Sequence, residues 1–155
     1  MMKQLKNTVI LITCVVMGLI IVLPQSIHAH CQIPCGIYDD YSRVKSMLED
    51  VATIEKSVKL IAELSVKTDA QSKNQLVRWV MNKEKHAQNI ISTICDYFLT
   101  QRVKPKQNDY TKRLKKHHKI IIAAMKAKQN VYMNYVKRLK KSIEALLPYY
   151  PEHKH

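Results

Sequence analysis

Residues 44–63, VKSMLEDVATIEKSVKLIAE, decide the fold class. Apolar side chains at Val44, Met47, Val51, Ile54, Val58 and Ile61 recur at alternating spacings of three and four, with Glu49, Lys56, Lys59 and Glu63 between them. That period draws one apolar stripe along a helix and turns the charges to its other side. Downstream, Lys67-Thr68-Asp69 breaks the pattern, and Thr68 or Asp69 can cap a second helix. Its stripe is Leu76, Val77, Val80, Met81, Ala87, Ile91, Ile94 and Phe98. Pro105 and Gln107-Asn108-Asp109 form the next loop, because proline lacks a helix donor and asparagine and aspartate favour turns. A third stripe follows at Leu114, Ile121, Ile122 and Met125. A fourth runs through Tyr132, Tyr135, Val136, Leu139, Ile143 and Leu146 to Pro148. No proline or glycine separates these two, but a single helix of roughly forty residues is out of proportion to a compact domain, so a turn is expected near Lys128-Gln129-Asn130. With no strand-like alternation, the expectation is an all-α, up-and-down antiparallel four-helix bundle over about residues 40–147. No internal repeat, sustained low-complexity tract or domain linker is evident.

The chain has 155 residues, enough for one such domain and not for a second catalytic one. Its two glycines are Gly18 and Gly36, which excludes glycine-rich phosphate loops and argues against nucleotide-dependent chemistry. The formal charge is +14. On its own this reads as a solvated basic surface or an unspecific attraction to nucleic acid or anionic lipid. A bundle is a generic scaffold, so function has to be sought outside the apolar stripes.

Before the first stripe the chain changes character. Lys3 and Lys6 precede an apolar stretch from Thr8 to Leu23, and Pro24-Gln25-Ser26-Ile27-His28-Ala29 closes it with a polar, turn-prone end. That order is a secretory signal peptide over residues 1–29, with Ala29 as the small residue before the cut. Ile27 is larger than the alanine usually preferred there. The alternative is an uncleaved anchor, but 16 apolar residues make a helix of roughly 24 Å, short of the ~30 Å hydrocarbon core. Removal of two lysines and no acid leaves residues 30–155 at +12. The expected product is exported, periplasmic or secreted, without stable membrane association.

Cutting before His30 exposes the run His30-Cys31-Gln32-Ile33-Pro34-Cys35-Gly36-Ile37-Tyr38 as a new N-terminus. It offers an α-amine, an imidazole, two thiols and a backbone amide that a metal could deprotonate. Soft thiolates beside nitrogen donors in a nearly square plane suit nickel(II) or copper(II). A Cys-x-x-x-Cys pair alone would read as a disulfide or a zinc half-site. The histidine before the first cysteine, at a cleavage point, reverses that ranking. Cys14 lies in the leader, leaving Cys31, Cys35 and Cys95, and outside the cytosol the first two could oxidise together before metal arrives. Cys95, in an apolar run, is expected to be a small buried hydrophobe.

The run from His30 to Tyr38 resembles the nickel-binding hook of nickel-containing superoxide dismutases, whose pattern is His-Cys-x-x-Pro-Cys-Gly-x-Tyr. Every fixed position is present. The likeness continues more thinly through Arg78-Trp79-Val80, Lys83-Glu84 and Asp96-Tyr97-Phe98, with Pro105 shortly after. The resemblance implies nickel as cofactor, with His30, Cys31 and Cys35 as the residues that hold it. The His30 amine, the Cys31 amide nitrogen and the two sulfurs would form the square plane, and the His30 imidazole would be an axial ligand to oxidised nickel. Two thiolates and a deprotonated amide donate enough electron density to bring trivalent nickel within reach, which hydrated nickel cannot manage. Pro34, able to adopt a cis bond, and Gly36 would let the chain turn so that both sulfurs face one metal.

The resemblance further implies that Tyr38 covers the open face of the metal, restricting access to small anions, and that Tyr97 is a second tyrosine near this gate. It implies superoxide anion as substrate, dioxygen and hydrogen peroxide as products, and a homohexamer that closes each hook with neighbouring subunits. The positive charge would then raise the encounter rate with superoxide, and nucleic acid would not be a partner. Gln32 replaces a residue often acidic in the family. Ser46 falls where the family has a carboxylate that helps orient the axial imidazole, with Glu49 one turn later. Arg78, Lys83, Glu84 and His86 are the candidates for the accompanying arginine's role.

Two other functions compete: a non-catalytic periplasmic carrier of nickel or copper using the same chelate, and a basic bundle that binds an anionic surface. His117-His118 and the terminal His153 and His155 are not expected to form a further metal site, because adjacent histidines on a helix point apart and the tail lacks acidic or thiol company.

Overall fold

The computed structural model describes residues 37–152. The leader, hook residues 30–36 and the last three residues, with His153 and His155, lie outside them. Helix α1 spans Asp40–Ser65. Asp39 caps it, its carboxylate accepting from the Ser42 N–H at 2.9 Å. All six residues of the opening stripe are buried along α1. Helix α2 spans Ala70–Ser92 and starts at Asp69, whose carboxylate accepts from the Ser72 N–H at 2.8 Å. The break at Lys67-Thr68-Asp69 therefore has its cap, and aspartate rather than threonine provides it.

From Thr93 to Arg102 α2 continues as a π-helical segment. Its wider i→i+5 turns end with the Val103 N–H donating to the Phe98 carbonyl at 2.8 Å. The loop after it is tied by Gln107, which accepts from the Lys104 N–H and donates to the Arg102 carbonyl. Helix α3 spans Tyr110–Gln129 and α4 spans Met133–Glu144. The turn between them falls at residues 130–132, beside the expected position. A short 3₁₀ turn, Leu147–Tyr149, brings Tyr150 back under the bundle.

Each helix packs on the next, and α4 closes against α1, giving an antiparallel four-helix bundle. Its core joins Met47, Ile54, Ile90, Ile94, Phe98, Ile120, Leu139, Ile143 and Leu146 with their neighbours. Burying each of the larger side chains contributes about 1.5–3 kcal/mol. Among the described residues no helix is long and apolar enough to cross a membrane.

Three stripes differ in part from expectation. On α3 the buried face is His117, Ile120, Ala124 and Ala127, while Leu114, Ile122 and Met125 are exposed. Small alanines rather than the larger apolar residues face the core, and the larger ones are turned outward. On α2, Val77, Val80 and Met81 are exposed, and Tyr132, before α4, is exposed too. Cys95 is half-buried rather than buried, on the flank of the π segment. Its burial and the neighbouring Asp96 push the thiol up, away from the reactive thiolate.

Candidate metal centre

Tyr38 immediately precedes the Asp39 cap, where the chain leaves the hook and enters α1. Its ring meets Tyr97 edge to face, with centroids 6.1 Å apart. Tyr97 is buried, on the π segment of α2, and its hydroxyl donates to Asp40 Oδ1 at 2.6 Å. Asp40, also buried, accepts from Arg102 as well, Nε on Oδ1 at 2.8 Å and Nη2 on Oδ2 at 2.5 Å. The Arg102 guanidinium carbon in turn lies 4.2 Å from the Tyr38 ring centroid. A second guanidinium, that of exposed Arg43, stands 5.3 Å over the Tyr97 ring. The two predicted tyrosines thus lie together, flanked by two arginines, with one carboxylate accepting from Tyr97 and Arg102.

Burial pushes the Tyr97 hydroxyl well above its usual range, and the hydrogen bond to Asp40 adds to the shift. Tyr97 is therefore a neutral phenol at physiological pH. The bond to Asp40 also raises the Arg102 guanidinium.

Beside Tyr97, a polar cleft of about 310 Å³ between α1 and α2 is lined by Arg43, Ser46, Asp50, Asn89, Ser92 and Thr93. Some of the residues named from the sequence as candidates for orienting the His30 imidazole lie in or beside it. Ser46 lies on its wall, and Asp50, one turn further along α1, lies 2.5 Å from His86 Nδ1. Glu49 and Arg78 are exposed. Lys83 is buried and engaged elsewhere: its ammonium donates to the Ala127 and Lys128 carbonyls at the end of α3 and to Glu84. That is a lysine cap on a helix C-terminus, where the dipole is negative. A larger groove of about 530 Å³ between α3 and α4, lined by Lys116, Lys119, Ile122, Tyr135, Arg138 and Lys141 among others, contains none of the predicted site residues.

His117 and His118 diverge as expected. His118 is exposed, while His117 is buried with both ring nitrogens engaged. Nδ1 lies 2.8 Å from the Arg113 carbonyl, which can only accept, so Nδ1 carries the hydrogen and Nε2 accepts from the Tyr150 hydroxyl at 3.1 Å. Burial holds its imidazole below the usual range, hence neutral. Among the described residues no group of three or more His, Cys, Asp or Glu side chains could hold a metal. The predicted ligands His30, Cys31 and Cys35 lie outside them, joined to the tyrosine pair through Gly36 and Ile37. As a donor set, an amine, an imidazole, an amide and two thiolates fit nickel by softness and by preference for a square plane.

The family model for nickel-containing superoxide dismutase matches residues 25–154, which take in the run from His30 to Tyr38 and the whole bundle. The chain belongs to the nickel-containing superoxide dismutase family. Comparisons with curated proteins and with solved structures gave no significant match. As a member, this superoxide dismutase is an oxidoreductase that uses nickel and acts on superoxide.

The dismutase's tyrosine pair was legible from the resemblance, but its partners were not. Neither Asp40 nor Arg102 stands out in the sequence. Only the π turn, which no residue pattern announced, brings Arg102 to Asp40 across 62 positions of sequence.

Proposed function

We propose that this chain is an exported dismutase, cut before His30, that converts superoxide to dioxygen and hydrogen peroxide at nickel held by its own N-terminal hook. The ligands are His30, through its amine and imidazole, Cys31, through its amide and thiolate, and the Cys35 thiolate. When bound there, nickel supplies the one-electron chemistry, cycling between its divalent and trivalent states. The observation that carries this reading is the contact of Tyr38 with Tyr97, 6.1 Å between centroids, three residues after Cys35.

Three residues of extended chain reach at most about 11 Å, so the Cys35 backbone is tethered within that distance of the Tyr38 backbone. The rings narrow the approach to small anions, which keeps larger reductants from the metal and limits oxidation of the sulfurs. Arg43 keeps the approach positive, while the Arg102 charge is balanced by Asp40. A homohexamer would bury the apolar side chains left outside, Val77, Val80 and Met81 on α2 and Leu114, Ile122 and Met125 on α3.

Cys35→Ser separates the readings. In a dismutase, superoxide-dependent turnover vanishes while helicity is retained. In a carrier, nickel affinity falls with no turnover to lose, and a bundle that only binds anionic surfaces is indifferent to the change.

A further inference from the structure

The two tyrosines are held by a device that the hook pattern does not contain. Asp40 is the first residue of α1, two positions after Tyr38 and five after Cys35. Its carboxylate can only accept, so the hydrogen between Asp40 and Tyr97 belongs to Tyr97. Arg102 closes the arrangement from the far end of the π segment, with its Nε 2.8 and 2.9 Å from the two Asp40 oxygens. In an α-helix, residues five apart, such as Tyr97 and Arg102, point about 140° away from each other. The i→i+5 turn brings them back toward one face. The π geometry is therefore what allows one carboxylate to bind both side chains, while the guanidinium plane also covers Tyr38 at 4.2 Å.

We propose that Asp40 and Arg102 are positioning residues of the metal centre: Asp40 takes the Tyr97 hydrogen, so that the Tyr97 oxygen is left to accept on its other side, and Arg102 fixes the Tyr38 ring at the entrance to α1. The proposal rests on the nickel-dismutase reading and deepens it. With its hydrogen on Asp40, Tyr97 presents lone pairs to a ligand or water on its other side. The charged or titratable groups facing Tyr97 are Asp40 and Arg43 of α1, Arg102 of its own helix and Tyr38 before α1. The burial-driven rise in the Tyr97 hydroxyl agrees with this assignment of the hydrogen.

The test uses the nickel-loaded chain beginning at His30, with Asp40→Asn and Arg102→Lys. Asparagine still accepts from Tyr97 but removes the charge that opposes a phenolate and leaves Arg102 unpaired beside it. Lysine keeps the charge but loses the planar fork and its stacking. With nickel content and helicity unchanged, both variants should turn over about tenfold more slowly. In Asp40→Asn the alkaline limb of the rate should move down by about one pH unit. A readout independent of activity is the ultraviolet phenolate titration of metal-free protein. Subtracting the Tyr97→Phe curve isolates Tyr97, which should ionise above the other tyrosines in the parent and nearer the ordinary range in Asp40→Asn. Variants with the parent's rate and pH profile, or a Tyr97 phenolate that Asp40→Asn does not move, would overturn the proposal. An inactive nickel-loaded parent would instead overturn the dismutase reading, and the phenolate titration would still decide the Asp40–Tyr97 assignment. If Asp40→Asn fails to fold, the parent titration and Arg102→Lys decide alone.

Discussion

Tyr38 and Tyr97, 59 positions apart in the chain, meet edge to face with their rings inclined at 72°. The contact joins the segment leading out of the hook to the buried π turn of α2. Replacing either residue by phenylalanine keeps the ring contact and removes the hydroxyl. Turnover is expected to fall severalfold in Tyr38→Phe with nickel content unchanged, and rate per bound nickel is the measurement. Tyr97→Ala removes the ring as well and is expected to destabilise the bundle by about 3–5 kcal/mol in denaturant unfolding, as large core truncations do.

His117 makes stability depend on pH. Its neutral imidazole is favoured in the folded state by burial first and then by the nearby positive charges of Arg113 and Lys116, with Tyr150 and Phe98 packed on its ring. A lowered folded-state pKa means that the unfolded chain binds the proton first. The stabilisation is therefore fully present above about pH 6.5 and is lost as pH falls through the folded value. Melting temperature should fall between neutral pH and about pH 5, and His117→Gln should flatten that slope. Exposed His118→Gln should leave it unchanged.

Tyr150 acts at the other end of the scale. Burial pushes its hydroxyl up to about 12, so the folded state favours the neutral phenol. Its contribution is present below the ordinary tyrosine value of about 10 and disappears as pH rises through the folded one. Tyr150→Phe removes this alkaline loss while costing about 1 kcal/mol near neutrality for the missing bond to His117 Nε2.

Lys83 links α2 to the end of α3. Lys83→Met keeps most of the buried stem but leaves the Ala127 and Lys128 carbonyls without their cation. A loss of about 1–3 kcal/mol is expected by chemical denaturation, with rate per bound nickel unaffected, because Lys83 belongs to the scaffold rather than to the metal site.

Charge predicts a salt effect. Helices α3 and α4 hold eleven lysines and arginines against the single acid Glu144, so the field is strongly positive on that side. The rate with superoxide should fall as ionic strength rises and the screening length shortens. Arg43→Gln, which removes the exposed guanidinium over Tyr97, should lower both the rate and its salt dependence. Lys140→Gln, on exposed α4, should change neither appreciably.

The fold was readable because its determinants are local. Val44 to Ile61 carries a complete helical period, Asp69 is a cap, and Pro105 and Asn130 mark turns where the chain does turn. The phase of α3 was not readable, since Ile120, Ile121 and Ile122 offer three adjacent faces and only close packing selects Ile120, with Ala124 and Ala127 beside it. At the site, the hook pattern led to Tyr38 and Tyr97 through resemblance. Asp40 and Arg102 escaped because their pairing depends on a π turn, and neither a hydrophobic period nor a capping signal encodes one.

The measurement that bears most directly on the central claim is the intact mass of the natively expressed, nickel-supplied protein, with the same sample assayed for superoxide dismutation. A chain beginning at His30 that carries nickel and turns over superoxide in proportion to it is the predicted result. A chain that retains residues 1–29 and still shows full nickel-dependent turnover would contradict the amine ligand, and a chain that begins at His30, binds nickel and is inactive would contradict the function.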